Sequence, residues 1–454
     1  MVVNWKRGLM AAAGVLVLGA TVAVAAGQNA ANAPAAADNA AVAANTPVPA
    51  DAAVQAALTT PSPADALIEK GKYVAILGDC AACHTRPDGP ALAGGLGLKT
   101  PFGEIYAPNI TPDKETGIGS WTKEDFARAM HHGKDDKKAN LYPAFPYVYY
   151  TLTASDDVDA LYAYLMAQPA VKYTPPKNGL GFPFNMRILL TPWNWLHFRS
   201  GEYKADAGQG AEWNRGKYLF DGLGHCAQCH TPKNMMGGDK KSKALQGGLL
   251  EDWWAPDLTG NKVQGLGNWS KDDIVAFLKA GSNPHANVYG SMVDVVQHST
   301  SQWKDEDLAA LATYMKTLPA SPVVAAKAAP APAQMTAGKQ VYDKSCASCH
   351  GAEGKGEAGL YPSLAGSGGG NAPNGTGVAH MVLVGSNTTA TIQSADPMPA
   401  FAAKLNDDQV AAVSTYIRNS FGNKSGAVLA KDVAKVRARL PKPEAKPPES
   451  AKAP

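Results

Sequence analysis

The chain has 454 residues, 45% of them hydrophobic and 18% charged, with a formal charge of +3. That length allows about three domains at roughly 150 residues each, and the composition is that of globular protein able to bury a core. A chain so near neutrality, without a concentrated basic stripe, excludes a nucleic-acid footprint, and no nucleic-acid partner is expected.

The first 26 residues read as an export signal. Lys6 and Arg7 form a charged start, an apolar run follows to Ala26, and Ala23-Val24-Ala25 offers a small-residue cleavage site. The alternative is an uncleaved membrane anchor, because the run is just long enough to span. No later stretch is long and apolar enough to cross a bilayer, so membrane attachment has to come from surface contact or from a partner. Residues 27–62 are rich in Ala, Pro and Asn with little hydrophobic periodicity, the pattern of a flexible lead-in.

From residue 63 the sequence repeats itself. Gly71-Lys72-Tyr73, Gly216-Lys217-Tyr218 and Gly338-Lys339 each mark a short helix running into a cysteine motif. The motifs are Cys80-Ala81-Ala82-Cys83-His84, Cys226-Ala227-Gln228-Cys229-His230 and Cys346-Ala347-Ser348-Cys349-His350. They use all six cysteines and leave none for a disulfide. The first two repeats also share Ala107-Pro108-Asn109 with Ala255-Pro256-Asp257, and Trp121-Thr122 with Trp269-Ser270. Thr122 and Ser270, each followed three residues later by aspartate, predict helix N-caps. Closing helices are predicted over 156–167, 305–317 and 406–420 from apolar residues at three and four spacing, their tyrosines packing in cores.

This places repeats at 63–168, 212–318 and 336–422. Between the first two, residues 169–211 carry Phe182, Phe184, Trp193, Trp195 and Phe198. That apolar surface either packs on its own repeats or docks a partner or a membrane interface. Residues 319–335 are Ala/Pro-rich and read as a semi-rigid spacer. Residues 423–454 read as a polar tail in which 427–440 forms one amphipathic helix.

Cys-x-x-Cys-His is a haem c attachment signature. Two thiols add to the vinyl groups of one macrocycle, and the adjacent histidine reaches its iron. A zinc site would need four ligands, and no second cysteine pair accompanies any motif. A thioredoxin-like dithiol would need a βαβ setting that is missing here. Three covalently bound haem c groups are therefore expected, on Cys80 and Cys83, Cys226 and Cys229, and Cys346 and Cys349, with His84, His230 and His350 as iron ligands.

A methionine on the other side of the iron favours pure electron transfer. Met398, in Pro397-Met398-Pro399, and Met292, in Gly290-Ser291-Met292, take that role by position in the repeat. Aligned on Trp121 and Trp269, the first repeat has Phe145 where the second has Met292. Phenylalanine cannot bind iron. Met130, His131 and His132 are the nearby candidates, with His132 the more suited to a structural hydrogen bond, and an open iron is the remaining option. The first haem is expected to differ in potential from the other two.

Residues 79–85, 109–113, 141–144, 213–216, 224–226 and 362–366 carry a family resemblance. The chain is similar, from about 65 to about 440, to the tri-haem cytochrome c subunits of membrane-bound dehydrogenases of acetic acid bacteria. That group serves alcohol, aldehyde, fructose, sorbitol and gluconate dehydrogenases. The resemblance implies a mainly α fold of three tandem class I cytochrome c domains, on the periplasmic side of the cytoplasmic membrane and peripherally attached. It implies a catalytic subunit of molybdopterin or quinoprotein type, a small third subunit, and ubiquinone as acceptor. The cytochrome would then have no catalytic residues of its own. In the family the first haem takes a methionine from a Leu-Tyr-Pro-Ala-Met-Pro-Tyr run. Phe145 replaces it here, similar to cytochromes that partner molybdenum hydroxylases, which tilts the reading from an alcohol towards an aldehyde dehydrogenase complex. Alternatives are a sugar or polyol dehydrogenase, a haem peroxidase using the first haem, and a cytochrome feeding a terminal oxidase.

Overall fold

The computed structural model describes residues 62–440 except 251, 326–328, 358–359 and 387–396. The export signal, nearly all of the lead-in and the end of the tail lie outside the described residues.

The first repeat opens with α1 (Pro63–Leu77), started by a capping box in which Ser62 and Asp65 satisfy each other's backbone N–H groups, with proline in its first turn. It leads into α2 (Cys80–His84), which carries the first motif. A hairpin follows, β1 (Gly97–Thr100) against β2 (Gly103–Tyr106), with β3 (Gly179–Leu180) added from the segment after the repeat. Three helices complete the repeat: α3 (Lys123–His132), the single turn α4 (Tyr147–Tyr150) and α5 (Ser155–Met166). A further helix, α6 (Leu190–His197), lies in the connection.

The second repeat follows the same plan. It comprises α7 (Ala211–Tyr218), α8 (Ala227–His230), the hairpin β4 (Gln246–Leu250) and β5 (Trp253–Asp257), α9 (Lys271–Ala280), α10 (Met292–His298) and α11 (Asp305–Met315). The predicted caps form. Thr122 with Asp125 and Ser270 with Asp273 are both complete capping boxes. Between its Gly-Lys-Tyr and its first cysteine the second repeat has one residue more than the first. A π-helical turn at Leu219–Leu223 absorbs it. The third repeat is plainer, with α12 (Pro332–Ser345), α13 (Ala347–His350), α14 (Thr376–Val384), α15 (Asp407–Arg418) and α16 (Ala430–Arg437).

The opening and closing helices of each repeat cross at a glycine. A Cβ on Gly71, Gly216 or Gly338 would stand 1.8, 1.9 or 2.2 Å from the carbonyl oxygen of Ala160, Ala310 or Ala412. No side chain fits there. Tyr164, Tyr314 and Tyr416 present their Cβ atoms at the same crossings, so the closing-helix tyrosines do pack where the helices meet.

Repeats one and two share a single hydrophobic core, running from Val74 and Leu161 through Leu219 and Leu223 to Trp303 and Leu311. A reciprocal pair of hydrogen bonds joins them. Tyr73 donates to Asp307 (2.7 Å) and accepts from Lys304 N–H (3.0 Å), while Tyr218 donates to Asp157 (2.6 Å) and accepts from Ala154 N–H (3.2 Å). Each tyrosine thus reaches the start of the other repeat's closing helix, as a local two-fold relation requires. Repeat three has a separate core around Tyr342, Leu383, Val410 and Val413.

The connecting segments differ from expectation. Residues 423–440 are not a polar tail: Val428, Val433 and Val436 are buried in the third core. Arg437 of α16 ties to Asp407 and to the Leu405 carbonyl. The amphipathic helix predicted over 427–440 is α16. The Ala/Pro spacer is docked on the second repeat through Ser321 to Asp257 and Val324 N–H to Gln264, and its end is already the first turn of α12. The aromatic connection divides. Trp193 is buried and donates to the Met236 carbonyl (2.8 Å), whereas Phe182, Trp195 and Leu196 are 81%, 72% and 61% exposed.

Candidate functional sites

Each Cys-x-x-Cys-His motif sits on a short helix placed by the opening helix behind it. In the first two repeats the residue before the first cysteine, Asp79 (φ 53°) or His225 (φ 35°), turns the chain sharply into the motif. The third repeat enters through Cys346 itself at φ −123°.

The motif histidines are held identically. His84 Nδ1 lies 2.7 Å from the Pro108 carbonyl, His230 Nδ1 2.7 Å from that of Pro256, and His350 Nδ1 3.1 Å from that of Pro362. A carbonyl only accepts, so Nδ1 carries the proton and the Nε2 lone pair is left for a metal. Burial pulls the pKa of all three imidazoles down, against a smaller upward effect of that hydrogen bond. The neutral ring, the form that binds iron, is the favoured one.

The cysteines are half-buried. Burial pushes Cys80, Cys83 and Cys226 up to about 12 and Cys346 up to about 11. Dithiol redox chemistry needs the reverse, a thiol whose pKa is lowered. All six cysteines are free of disulfides. Among the described residues no three His, Cys, Asp or Glu side chains converge on one point as a bare metal ion demands. Two spread thiols and an oriented imidazole instead fit a macrocycle that takes two thioether bonds and one axial nitrogen.

The first two centres adjoin across the shared core. The Cys83 thiol is near enough to Cys229 to be raised further by it, after burial and Asp79. Gln228, inside the second motif, donates to the Pro143 carbonyl of the first repeat (3.3 Å).

The two methionines are presented differently. Met292 is the first residue of α10 and packs with Phe277, Val288, Val293 and Val296. Met398 is locked to Ser386 by two bonds, its N–H to Ser386 Oγ (2.9 Å) and its carbonyl from Ser386 N–H (3.0 Å). Phe145 lies half-buried against Tyr150, ring centroids 5.4 Å apart. Tyr150 donates to the Gly78 carbonyl (2.6 Å), and its own pKa is raised by burial and then by Cys80 and Cys83. Phe145 is therefore on the side of the first motif.

Met130 is buried in the shared core. His131, rather than His132, makes the structural hydrogen bond, from Nε2 to the Thr153 carbonyl (3.0 Å). His132 is exposed.

Sequence reasoning singled out the motifs but missed the three proline carbonyls. The signal was present in the matched Ala107-Pro108 and Ala255-Pro256 pairs and in Tyr361-Pro362.

A family model described as cytochrome c matches residues 68–169, 213–319 and 335–421. The chain is 40% identical over 406 residues to the gluconate 2-dehydrogenase cytochrome c subunit of Pantoea cypripedii, covering 84% of this chain and 92% of that one. It is 39% identical over 401 residues to the cytochrome c subunit of alcohol dehydrogenase (quinone) of Gluconobacter oxydans, covering 82% of each. It is 38% identical over 419 residues to the fructose dehydrogenase cytochrome subunit of Gluconobacter japonicus, covering 85% of this chain and 86% of that one.

Proposed function

The chain belongs to the cytochrome c family, and from that premise we propose that it is the three-haem electron-transfer subunit of a membrane-associated dehydrogenase complex. The observation that carries this reading is the triple recurrence of a half-buried cysteine pair followed by a histidine whose Nδ1 is fixed on a proline carbonyl. Each haem, once bound, supplies one-electron exchange. The cysteine pairs Cys80 and Cys83, Cys226 and Cys229, and Cys346 and Cys349 anchor the macrocycles. His84, His230 and His350 would hold the irons, and Met292 and Met398 would be the second ligands in repeats two and three. The shared core keeps the first two centres at a fixed spacing.

The catalytic subunit, not this chain, touches the substrate. The relatives are named for gluconate, alcohol and fructose dehydrogenases, which supports a dehydrogenase partner. We take that partner to be of molybdopterin or quinoprotein type, with a small third subunit and with ubiquinone as acceptor. Phe145 favours an aldehyde-oxidising over an alcohol-oxidising partner. Export to the periplasmic face fits the charged, then apolar, start of the chain. No described helix is long and apolar enough to cross a membrane. Peripheral attachment instead falls to the exposed apolar strap of Phe182, Ile188, Trp195 and Leu196, continued by Met235 at 96% exposure.

Counting haem per chain by the pyridine haemochrome method, with mass spectrometry of the three motif peptides, tests the cofactor reading. Fewer than three modified peptides would refute it. Quinone reduction by the complex purified from membranes tests the role. Phe182→Ser with Trp195→Ser should cut sedimentation with anionic vesicles roughly tenfold, equivalent to about 1.4 kcal/mol, while leaving the haem count unchanged.

A further inference from the structure

The repeat relation between the first two centres allows each side chain near Phe145 to be compared with its counterpart near Met292. α3 and α9 are equivalent helices, each started by a capping box and each ended by a glycine in the left-handed region, Gly133 at φ 60° and Gly281 at φ 74°. Counting back from those glycines, Met130, His131 and His132 correspond to Leu278, Lys279 and Ala280.

That correspondence decides what the three do. Met130 and Leu278 both pack in the shared core. His131 Nε2 bonds to the Thr153 carbonyl, and Lys279 Nζ bonds to the Trp303 carbonyl (2.8 Å). Each of these carbonyls immediately precedes the N-cap of a closing helix, Ala154 or Lys304. His131 is thus the first repeat's version of a structural lysine. His132 stands where the second repeat, which has Met292, needs only an alanine. None of the three occupies the position of an axial ligand.

The loop that carries Phe145 is also held in place. Leu141 N–H bonds to the Gly133 carbonyl (2.7 Å), Phe145 N–H to that of Tyr142 (3.0 Å) and Tyr147 N–H to that of Phe145 (2.8 Å). The hydroxyls around it are spent: Tyr147 donates to Asn194 (2.6 Å), Tyr149 to Asp239 and Tyr150 to the Gly78 carbonyl. The surroundings of Phe145 are therefore aromatic, with no free donor among these hydroxyls.

We propose that the iron held by His84 has no protein ligand on its second face and is a binding site for small neutral diatomic molecules. This rests on the haem reading of the Cys-x-x-Cys-His motifs. The polarity and donors of the pocket decide what an open iron takes. A pocket without free donors suits an uncharged diatomic. The engaged tyrosine hydroxyls offer no free acid for peroxide chemistry, and the imidazole beyond Tyr150, His225, spends its Nδ1 on the Leu223 carbonyl (2.8 Å).

The test uses the purified full chain with its haems, and carbon monoxide as the probe. After dithionite reduction, one of the three haems should bind carbon monoxide. The ferric protein should show one high-spin and two low-spin haems by electron paramagnetic resonance. Phe145→Met should abolish both signals and raise the methionine-to-iron charge-transfer band from two haems' worth to three. Met292→Ala should raise carbon monoxide binding from one haem to two. Three low-spin haems with no carbon monoxide uptake in the unmodified protein would overturn the proposal. So would uptake that Phe145→Met leaves unchanged in a protein with its full haem count. A haem count below three would fail the cofactor reading itself, which the haemochrome assay detects separately.

Discussion

The junction between repeats one and two and the junction between repeats two and three are built on different physics. The first is a continuous apolar core with two half-buried tyrosine–aspartate bonds at its edges. The second has no shared aliphatic cluster among the described residues. It consists of the Trp253 ring 4.3 Å from the His380 ring, Gln264 donating to the Asn371 carbonyl (2.9 Å), and Arg439 paired with Asp252. The first two motifs therefore sit on one continuous core and the third on its own, so repeats one and two are expected to unfold together and repeat three separately. For an electron carrier, a common core fixes the spacing of the first two motifs.

The harshest test of that contrast is at the helix crossings. In Gly216→Val the new Cβ would meet the Ala310 carbonyl at 1.9 Å, forcing α7 from α11 at a cost of more than about 4 kcal/mol. Because the core is common, calorimetry should show repeats one and two lost in the same transition, with repeat three retained. Gly338→Val should do the opposite and remove only the third transition. Survival of repeat one in Gly216→Val would mean that the common core is not a cooperative unit.

The half-buried ion pair at the first junction comes next. Asp307 is buried, receives two bonds from Arg215 (2.7 and 2.8 Å) and a third from Tyr73. Asp307→Ala leaves a half-buried guanidinium and a tyrosine hydroxyl without their acceptor, a loss of about 1–3 kcal/mol. Burial alone would raise the Asp307 pKa, but the bonds from Arg215 and Tyr73 outweigh it and hold the carboxyl below its ordinary value. A lowered folded-state pKa contributes stability that is complete above the unfolded value, about 3.9, and is lost as the pH falls through the folded one. Acid titration of the first transition should therefore steepen below about pH 4, and Asp307→Asn should flatten it. An unchanged acid limb in Asp307→Asn would remove this residue from the junction's pH dependence.

These residues also mark what sequence could and could not reveal. The motifs, the capping boxes at Thr122 and Ser270 and all three closing helices were readable, because each is written in local spacing. Tyr73 and Asp307 are 234 positions apart, and nothing local joins them. The role of Pro108, Pro256 and Pro362 lies in a backbone carbonyl, which leaves no side-chain signature. Residues 423–440 misled because they run into the Lys/Pro/Ala-rich stretch 441–454, while the valines that seal the third core, Val428, Val433 and Val436, are interspersed with Lys, Arg and Asp. Phe145 was legible as a departure from the repeat. Its consequence needed the pairing of His131 with Lys279, which only the two carbonyl bonds expose.

At the second junction the aromatic contact carries more than the charges. Trp253→Ala removes a ring pair of about 0.5–1.5 kcal/mol beyond area burial. Hydrogen exchange should quicken in α14, which carries His380, and the melting of repeats one and two should not move. A shift in that melting would show that the third repeat braces the first two, contrary to the separation of their cores.

The smallest effect belongs to Arg439, which sends Nε to Asp252 Oδ2 (2.8 Å) from a side chain 52% exposed. An exposed pair of this kind contributes about 0.2–1 kcal/mol, and screening at about 0.15 M salt reduces it further. Arg439→Ala should therefore widen the solution scattering envelope slightly at low ionic strength and leave it unchanged at high. The dependence on salt is the informative part. If Arg439→Ala opens the junction equally at both ionic strengths, the arginine acts through its packed stem rather than its charge. The third body would then be held by contact alone, and its freedom to move would be set by Trp253.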